Sequence, residues 1–297
     1  MKFKIEGVLP ALLTPFTKGG VRVDFEGAAA LAVRLAGQGV HGLFVAGTTG
    51  EGLLLTKSER KHLLEAVVQA VGTKLKVVAH TGCLDTATTI ELTHHAVENG
   101  AVAAGVIAPP FFTYDDAALK RHFLAVAKAA PGVPIMLYNL PSCAKNLLTP
   151  DLIVDLANRA DNIVGLKDSG GDLVALTQVI NDSPEGFNVI NGTDSYTYQA
   201  YLSSDKGSVA STANVFPELF LDIMSAVRDG KLKEAMASQQ KLTAACGAFQ
   251  YGAKVCLYKE ALRLRGFDAG YVRSPQREAT SQEKKQLAKK LETIGLI

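Results

Sequence analysis

The chain has 297 residues, 47% of them hydrophobic and 20% charged, with a formal net charge of +2. That length buries a sizeable core in one large domain or two small ones. The near-balance of charge, without a Lys/Arg run carrying interleaved aromatics, argues against a nucleic-acid partner. No apolar run reaches the roughly 18 residues of a membrane helix, and Cys83, Cys143, Cys246 and Cys256 are scattered without a C-x-x-C pair, so a reduced, cytoplasmic protein with free thiols and no membrane contact is expected.

In chain order, "MKFKIEGVLPALLTPF" is interrupted by Glu6, Pro10 and Pro15 and lacks a cleavage site, so it reads as a first strand over 8–16, not a signal peptide. A helical period follows over 24–38, then the strand "GLFVAGTTG" at 42–50. The helix at 57–71 opens on Thr56 and Glu59, three apart as in a capping box. Strand "LKVVAHTG" (75–82), helix 86–99, strand "AAGVIAPPFF" (103–112) and helix 115–130 come next, then strand "VPIMLYNLP" (133–141). Thr149 and Pro150 open a helix at 150–160, with Pro in the first turn. Strand "IVGLKDSG" (163–170), helix 172–182, strand "FNVINGTD" (187–194), a shorter helix at 195–203, strand "GSVASTAN" (207–214) and helix 216–229 complete the alternation.

Eight strands alternating with helices imply parallel pairing with right-handed crossovers, and eight units in about 230 residues predict an α/β fold, a closed (β/α)8 TIM barrel. Thr14-Pro15-Phe16 after the first strand is not the Gly-rich phosphate turn of an open nucleotide-binding sheet. Beyond residue 230 the patterning is helical only, so residues 1–230 are assigned to the catalytic barrel and 231–297 to a C-terminal helical region packed on it, with Gly266–Ser274 as a connecting loop.

In such a barrel the active site lies at the C-terminal ends of the strands. There stand "GTTGE" (Gly47 to Glu51), "YNLP" (Tyr138 to Pro141), Lys167, "NGTD" (Asn191 to Asp194) and "STAN" (Ser211 to Asn214). Each alone has an ordinary structural reading. Hydroxyls in a Gly-rich turn satisfy backbone groups, a barrel tyrosine fills space, Glu51 caps the next helix, His80 is a satisfied strand-end histidine, and Lys167 reaches solvent and pairs with Asp168. His94 and His95 are adjacent on a helix and point apart, and without an H-x-H, an E-x-x-H or clustered acids at the strand ends no metal and no cofactor is expected.

Together, a lysine, a phenol and a pair of hydroxyls arriving at one mouth suit imine chemistry. An exposed lysine is almost wholly protonated at pH 7, and a barrel interior desolvates it. Alternation puts Ile163, Gly165 and Lys167 on one face; if that face is the lumen, Gly165 leaves room beneath the amine. Condensation with a 2-oxo acid then draws electrons from the neighbouring carbon, while a phenol relayed through a threonine hydroxyl carries protons.

"GTTGE", "YNLP" and "GLKDS", in that order on strands two, five and six, resemble the dihydrodipicolinate synthase/N-acetylneuraminate lyase family, and the likeness runs the length of the chain. The resemblance implies a metal-independent pyruvate-dependent aldolase in which Lys167 forms the Schiff base, Tyr138 is the general acid/base and Thr48 its relay partner. It further implies that Thr49 donates to the substrate carboxylate, that the Val209 carbonyl faces the keto acid, and that Gly47 and Gly192 line the substrate site. It implies a homotetramer built from tight dimers as well. Two positions depart from the synthase pattern: Phe112 stands where a tyrosine completes the relay across the dimer, with Tyr114 the nearest substitute, and Cys143 stands where an arginine binds aspartate semialdehyde. "GLKDSGGD" looks more like the family's keto-acid aldolases, so cleavage of a 4-hydroxy-2-oxo acid, such as 4-hydroxy-2-oxoglutarate or a 2-keto-3-deoxy sugar acid, is the expectation. Synthesis of 4-hydroxy-tetrahydrodipicolinate is the alternative. A keto-acid binder without catalysis is the competing non-enzymatic reading, against which the retained lysine, phenol and threonines weigh.

Overall fold

The computed structural model describes residues 4–204, 207–252 and 254–297. Eight short strands, β1 (Gly7–Pro10), β2 (Gly42–Val45), β3 (Lys76–His80), β4 (Ala103–Ile107), β5 (Ile135–Asn139), β6 (Ile163–Asp168), β7 (Asn188–Asn191) and β8 (Gly207–Ala210), pair in parallel in the spatial order 1-8-7-6-5-4-3-2. The remaining seam, between β1 and β2, is closed by the Leu12 N–H donating to the Phe44 carbonyl and the His41 N–H to that of Val8, each at 2.9 Å. The result is the expected (β/α)8 barrel.

Helices α1 (Phe25–Gly37), α2 (Lys57–Val71), α3 (Thr86–Glu98) and α4 (Asp116–Ala129) follow the first four strands. A single turn, α5 (Pro141–Ala144), precedes α6 (Pro150–Arg159), and α7 (Leu173–Asp182), α8 (Thr197–Ser204) and α9 (Pro217–Arg228) complete the ring. The capping signals act as read: Thr56 and Glu59 form the reciprocal box at α2, and Thr149 caps α6 ahead of Pro150. Strands end earlier than the apolar runs because the chain turns out of the ladder at the mouth. After Val45, Ala46 has φ 58°, a left-handed conformation that no regular strand continues.

Three more helices, α10 (Leu232–Ala248), α11 (Val255–Leu264) and α12 (Ser281–Thr293), pack against the barrel. Leu242, Phe249, Tyr258 and Leu262 join one continuous apolar cluster with Val8, Leu12, Phe16 and Phe220. The segment between α11 and α12 is laced back as well, the Tyr271 N–H donating to the Phe16 carbonyl at 2.9 Å. Among the described residues no helix is long and apolar enough to cross a membrane.

Candidate active site

The upper lumen is built around Lys167. The residue is 4% exposed, and its Nζ lies 3.8 Å from the centroid of the Tyr138 ring and 4.2 Å from that of Phe44. Alternation along β6 aims it inward, and the ladder sets it beside Tyr138 on β5. The pairing with Asp168 is not found: the Asp168 carboxylate accepts from Asn139 Nδ2 at 2.7 Å, tying β5 to β6 beside the amine. Nor does Gly165 leave a void, since a Cβ there would overlap the Asn188 carbonyl; that glycine serves the close approach of β7. Burial pulls the Lys167 amine down to about 7, and the Asp194 carboxylate opposes the shift.

Tyr138 is likewise buried, and desolvation pushes its phenol up to about 12 against the lowering effect of the Thr48 hydroxyl. The two oxygens are 3.3 Å apart. The Ser169 hydroxyl also works against the rise of the phenol, and it donates to the Gly192 carbonyl at 3.2 Å. Thr49 Oγ1 meets Ser211 Oγ at 2.6 Å, joining the β2 loop to the end of β8.

Glycines permit this crowding. A Cβ on Gly47 would come within 2.9 Å of the Phe44 ring, and one on Gly192 would overlap the Ser169 hydroxyl. Val209 is buried on β8, in register with Leu9.

Lys167, Tyr138, Thr48, Thr49, Gly192 and Val209 all line one cavity of about 390 Å³ at the mouth. Gly47 lines the chamber next to it, with which Thr48, Cys143 and Gln276 are shared. Tyr114 is elsewhere in this chain: it lines a groove with Leu84, Thr86 and His122, while Phe111 and Phe112 are exposed.

Asp194 was not foreseen as a site residue. Its carboxylate accepts from the Thr212 N–H at 2.9 Å, desolvation raises it, and it stands in the same cavity as Lys167. The signal was its place at the end of "NGTD" on a lumen-facing strand.

His80 is only half satisfied. Nδ1 lies 3.1 Å from the Ala46 carbonyl and 3.2 Å from Arg60, and Nε2 has no partner among the described residues. Its ring stands edge-on to Tyr138 with centroids 5.7 Å apart, and burial with the Arg60 cation keeps it well below its usual range, so it is neutral. Glu51 does not cap α2, a role held by Thr56; its carboxylate is turned inward onto Lys259. No group of three or more metal-ligating side chains occurs among the described residues.

A desolvated amine beside a buried phenol, at the C-terminal mouth of a parallel barrel, defines a class: barrel lyases that work through a lysine Schiff base. The chain belongs to the dihydrodipicolinate synthetase family, which it matches over residues 4–294, and like the members of that family it is a pyruvate-dependent lyase. A 4-hydroxy-tetrahydrodipicolinate synthase of Methanopyrus kandleri is 34% identical over 100% of this chain and 99% of the relative. Among solved structures, the synthase of Cyanidioschyzon merolae with lysine bound has TM-score 0.93 at 31% identity, covering 99% of both chains. YagE of E. coli K12, a prophage protein of the same family in complex with pyruvate, has TM-score 0.94 at 31% identity, covering 98% of this chain and 99% of its own.

Proposed function

We propose that this protein cleaves, reversibly, a 4-hydroxy-2-oxo acid with an uncharged, hydroxylated tail into pyruvate and an aldehyde, through an imine on Lys167. With its amine near 7, a substantial fraction of Lys167 is neutral at physiological pH and free to attack the C2 carbonyl. A phenol held near 12 keeps its proton until it is needed, so its first act is donation, to the carbinolamine oxygen that leaves as water. The resulting phenolate is stabilised by the adjacent iminium. It then takes the C4 hydroxyl proton by way of Thr48 as the C3–C4 bond breaks, and those electrons pass into the iminium to give an enamine. Return of the proton to C3 and hydrolysis of the imine release pyruvate. Thr49 donates to the substrate C1 carboxylate, the Val209 carbonyl faces the bound keto acid, and Gly47 and Gly192 let the substrate approach the backbone.

The carrying observation concerns charge. Among the described residues lining the mouth cavity, Lys167 is the only cation and Asp194 the only carboxylate, while Ser142, Ser169, Thr193, Ser195 and Ser211 supply hydroxyls. A tail ending in a second carboxylate would meet no cation and would face Asp194, which disfavours aspartate semialdehyde and 4-hydroxy-2-oxoglutarate alike and favours a 2-keto-3-deoxy sugar acid. One observation favours a second reading: the relatives from Methanopyrus kandleri and Methanoculleus marisnigri, 34% and 33% identical, are named 4-hydroxy-tetrahydrodipicolinate synthase. A cytoplasmic homotetramer of tight dimers belongs to the proposal on family grounds.

Steady-state kcat/KM for a panel of 2-keto-3-deoxy sugar acids, 4-hydroxy-2-oxoglutarate and the pair pyruvate plus aspartate semialdehyde tests it. The sugar acids should lead. Leadership by the semialdehyde establishes the second reading instead.

A further inference from the structure

Among the buried charges that the chemistry above leaves unused, Glu51, last residue of "GTTGE", and Lys259, in the middle of α11, face each other. Both side chains are fully buried, and the Lys259 Nζ donates to Glu51 Oε1 at 2.8 Å. Its other donors are used too, on the carbonyls of Thr14 at 2.7 Å and Tyr271 at 2.5 Å. The second oxygen of Glu51 accepts from the Arg273 N–H at 2.9 Å. One ammonium and one carboxylate thus join four separate pieces of chain: the segment after β1, the loop after β2, α11 and the segment before α12.

The loop after β2 needs holding. Ala46 and Glu51 both adopt left-handed backbone, at φ 58° and 55°, a conformation neither residue type favours. Thr48 and Thr49 lie between them, with the Gly50 carbonyl tied down by the Thr14 hydroxyl at 2.6 Å. Breaking a buried ion pair is costly, yet a pair of apolar residues would serve stability as well, so its presence calls for a geometric reason. The Thr48 hydroxyl, three residues before Glu51, meets Tyr138 at a separation already as long as 3.3 Å.

We propose that Lys259 and Glu51 are a positioning pair that holds the Thr48–Thr49 loop in register with Tyr138, making α11 a working part of the active site. The inference rests on the reading of Thr48 as the relay partner of Tyr138. A shift of about 1 Å in such a group costs up to ~10²-fold in rate. Neither residue lines the mouth cavity.

The test is a double-mutant cycle between Lys259→Met and Thr48→Val, read by the full-length protein's exchange of pyruvate methyl protons for deuterium in D₂O. That exchange needs only imine formation, loss of a C3 proton to the relay and return of a deuteron, so it requires no knowledge of the aldehyde. Thr48→Val should slow exchange at least ~10-fold. Lys259→Met should slow it roughly 10–100-fold in the native background and less than ~3-fold in Thr48→Val, because the relay it positions is already gone. Equal factors in both backgrounds, or exchange untouched by Lys259→Met, would overturn the proposal. Native-rate exchange by Thr48→Val would overturn the relay reading itself, a result visible without the second substitution. Should Lys259→Met fail to fold, Glu51→Gln, which keeps the shape of the side chain and removes its charge, enters the same cycle with the same criterion.

Discussion

At the scale of single residues the account turns on two displaced proton affinities. The Lys167 amine, held down to about 7 by burial, is protonated and unreactive below that pH. The rate of borohydride trapping with pyruvate should therefore climb about tenfold per pH unit up to about 7 and level off above it; a rise continuing to pH 9 would show an ordinary solvated amine. The same depression has a stability consequence. Between about 7 and the ordinary lysine value of 10.5 the unfolded chain binds the proton that the native chain has lost, so native stability gains with pH across that window. The thermal advantage of Lys167→Met over the unmodified protein should accordingly be largest at pH 7 and below and shrink toward pH 9, as read by calorimetry. Tyr138→Phe keeps the ring against Phe44 and Lys167 and removes only the proton, so kcat should fall by roughly 10²–10⁴-fold with the melting temperature nearly unchanged.

At the scale of elements, what was legible in the sequence was local. Each strand buries a short apolar run, and α1 to α4, α6, α7 and α12 carry side-chain caps, so existence, order and parallel pairing followed from period and punctuation alone. The strand ends were less legible, because Ala46 leaves the ladder through a backbone conformation that its side chain does not announce. The one-turn α5 was missed for a similar reason: Pro141 opens it, and four residues have no period to read. Glu51 was misjudged because an acid near the start of a helix commonly serves its N-terminus, whereas its partner Lys259 lies 208 residues away on an element that only the folded core brings near. That Tyr138, Lys167 and Thr48 share one cavity was legible because strand ends in a barrel converge whatever the connecting helices do. Asp194, at the end of another such strand, was visible but not chosen. Caps remain separable from chemistry. Thr280, whose hydroxyl accepts from the Glu283 N–H at the start of α12, should cost about 1 kcal/mol when changed to Ala. The expected signature is a lower denaturant midpoint with unchanged slope and unchanged kcat.

At the scale of the whole molecule, the C-terminal helices share the barrel's core: Leu242, Phe249 and Tyr258 are buried in the same cluster as Val8 and Phe16. Among the described residues the fold buries two lysines, Lys167 and Lys259, and treats them oppositely. Lys259 is engaged by a carboxylate and two carbonyls, whereas Lys167 has aromatic faces around it and a cavity in front. One reagent asks which of them is the nucleophile. Pyruvate with borohydride, followed by peptide mapping of the native protein, should place a single irreversible three-carbon adduct on Lys167, with activity lost in proportion. An adduct on Lys259 or on any surface lysine, or no adduct while turnover proceeds, would contradict the Schiff-base mechanism on which the functional reading stands.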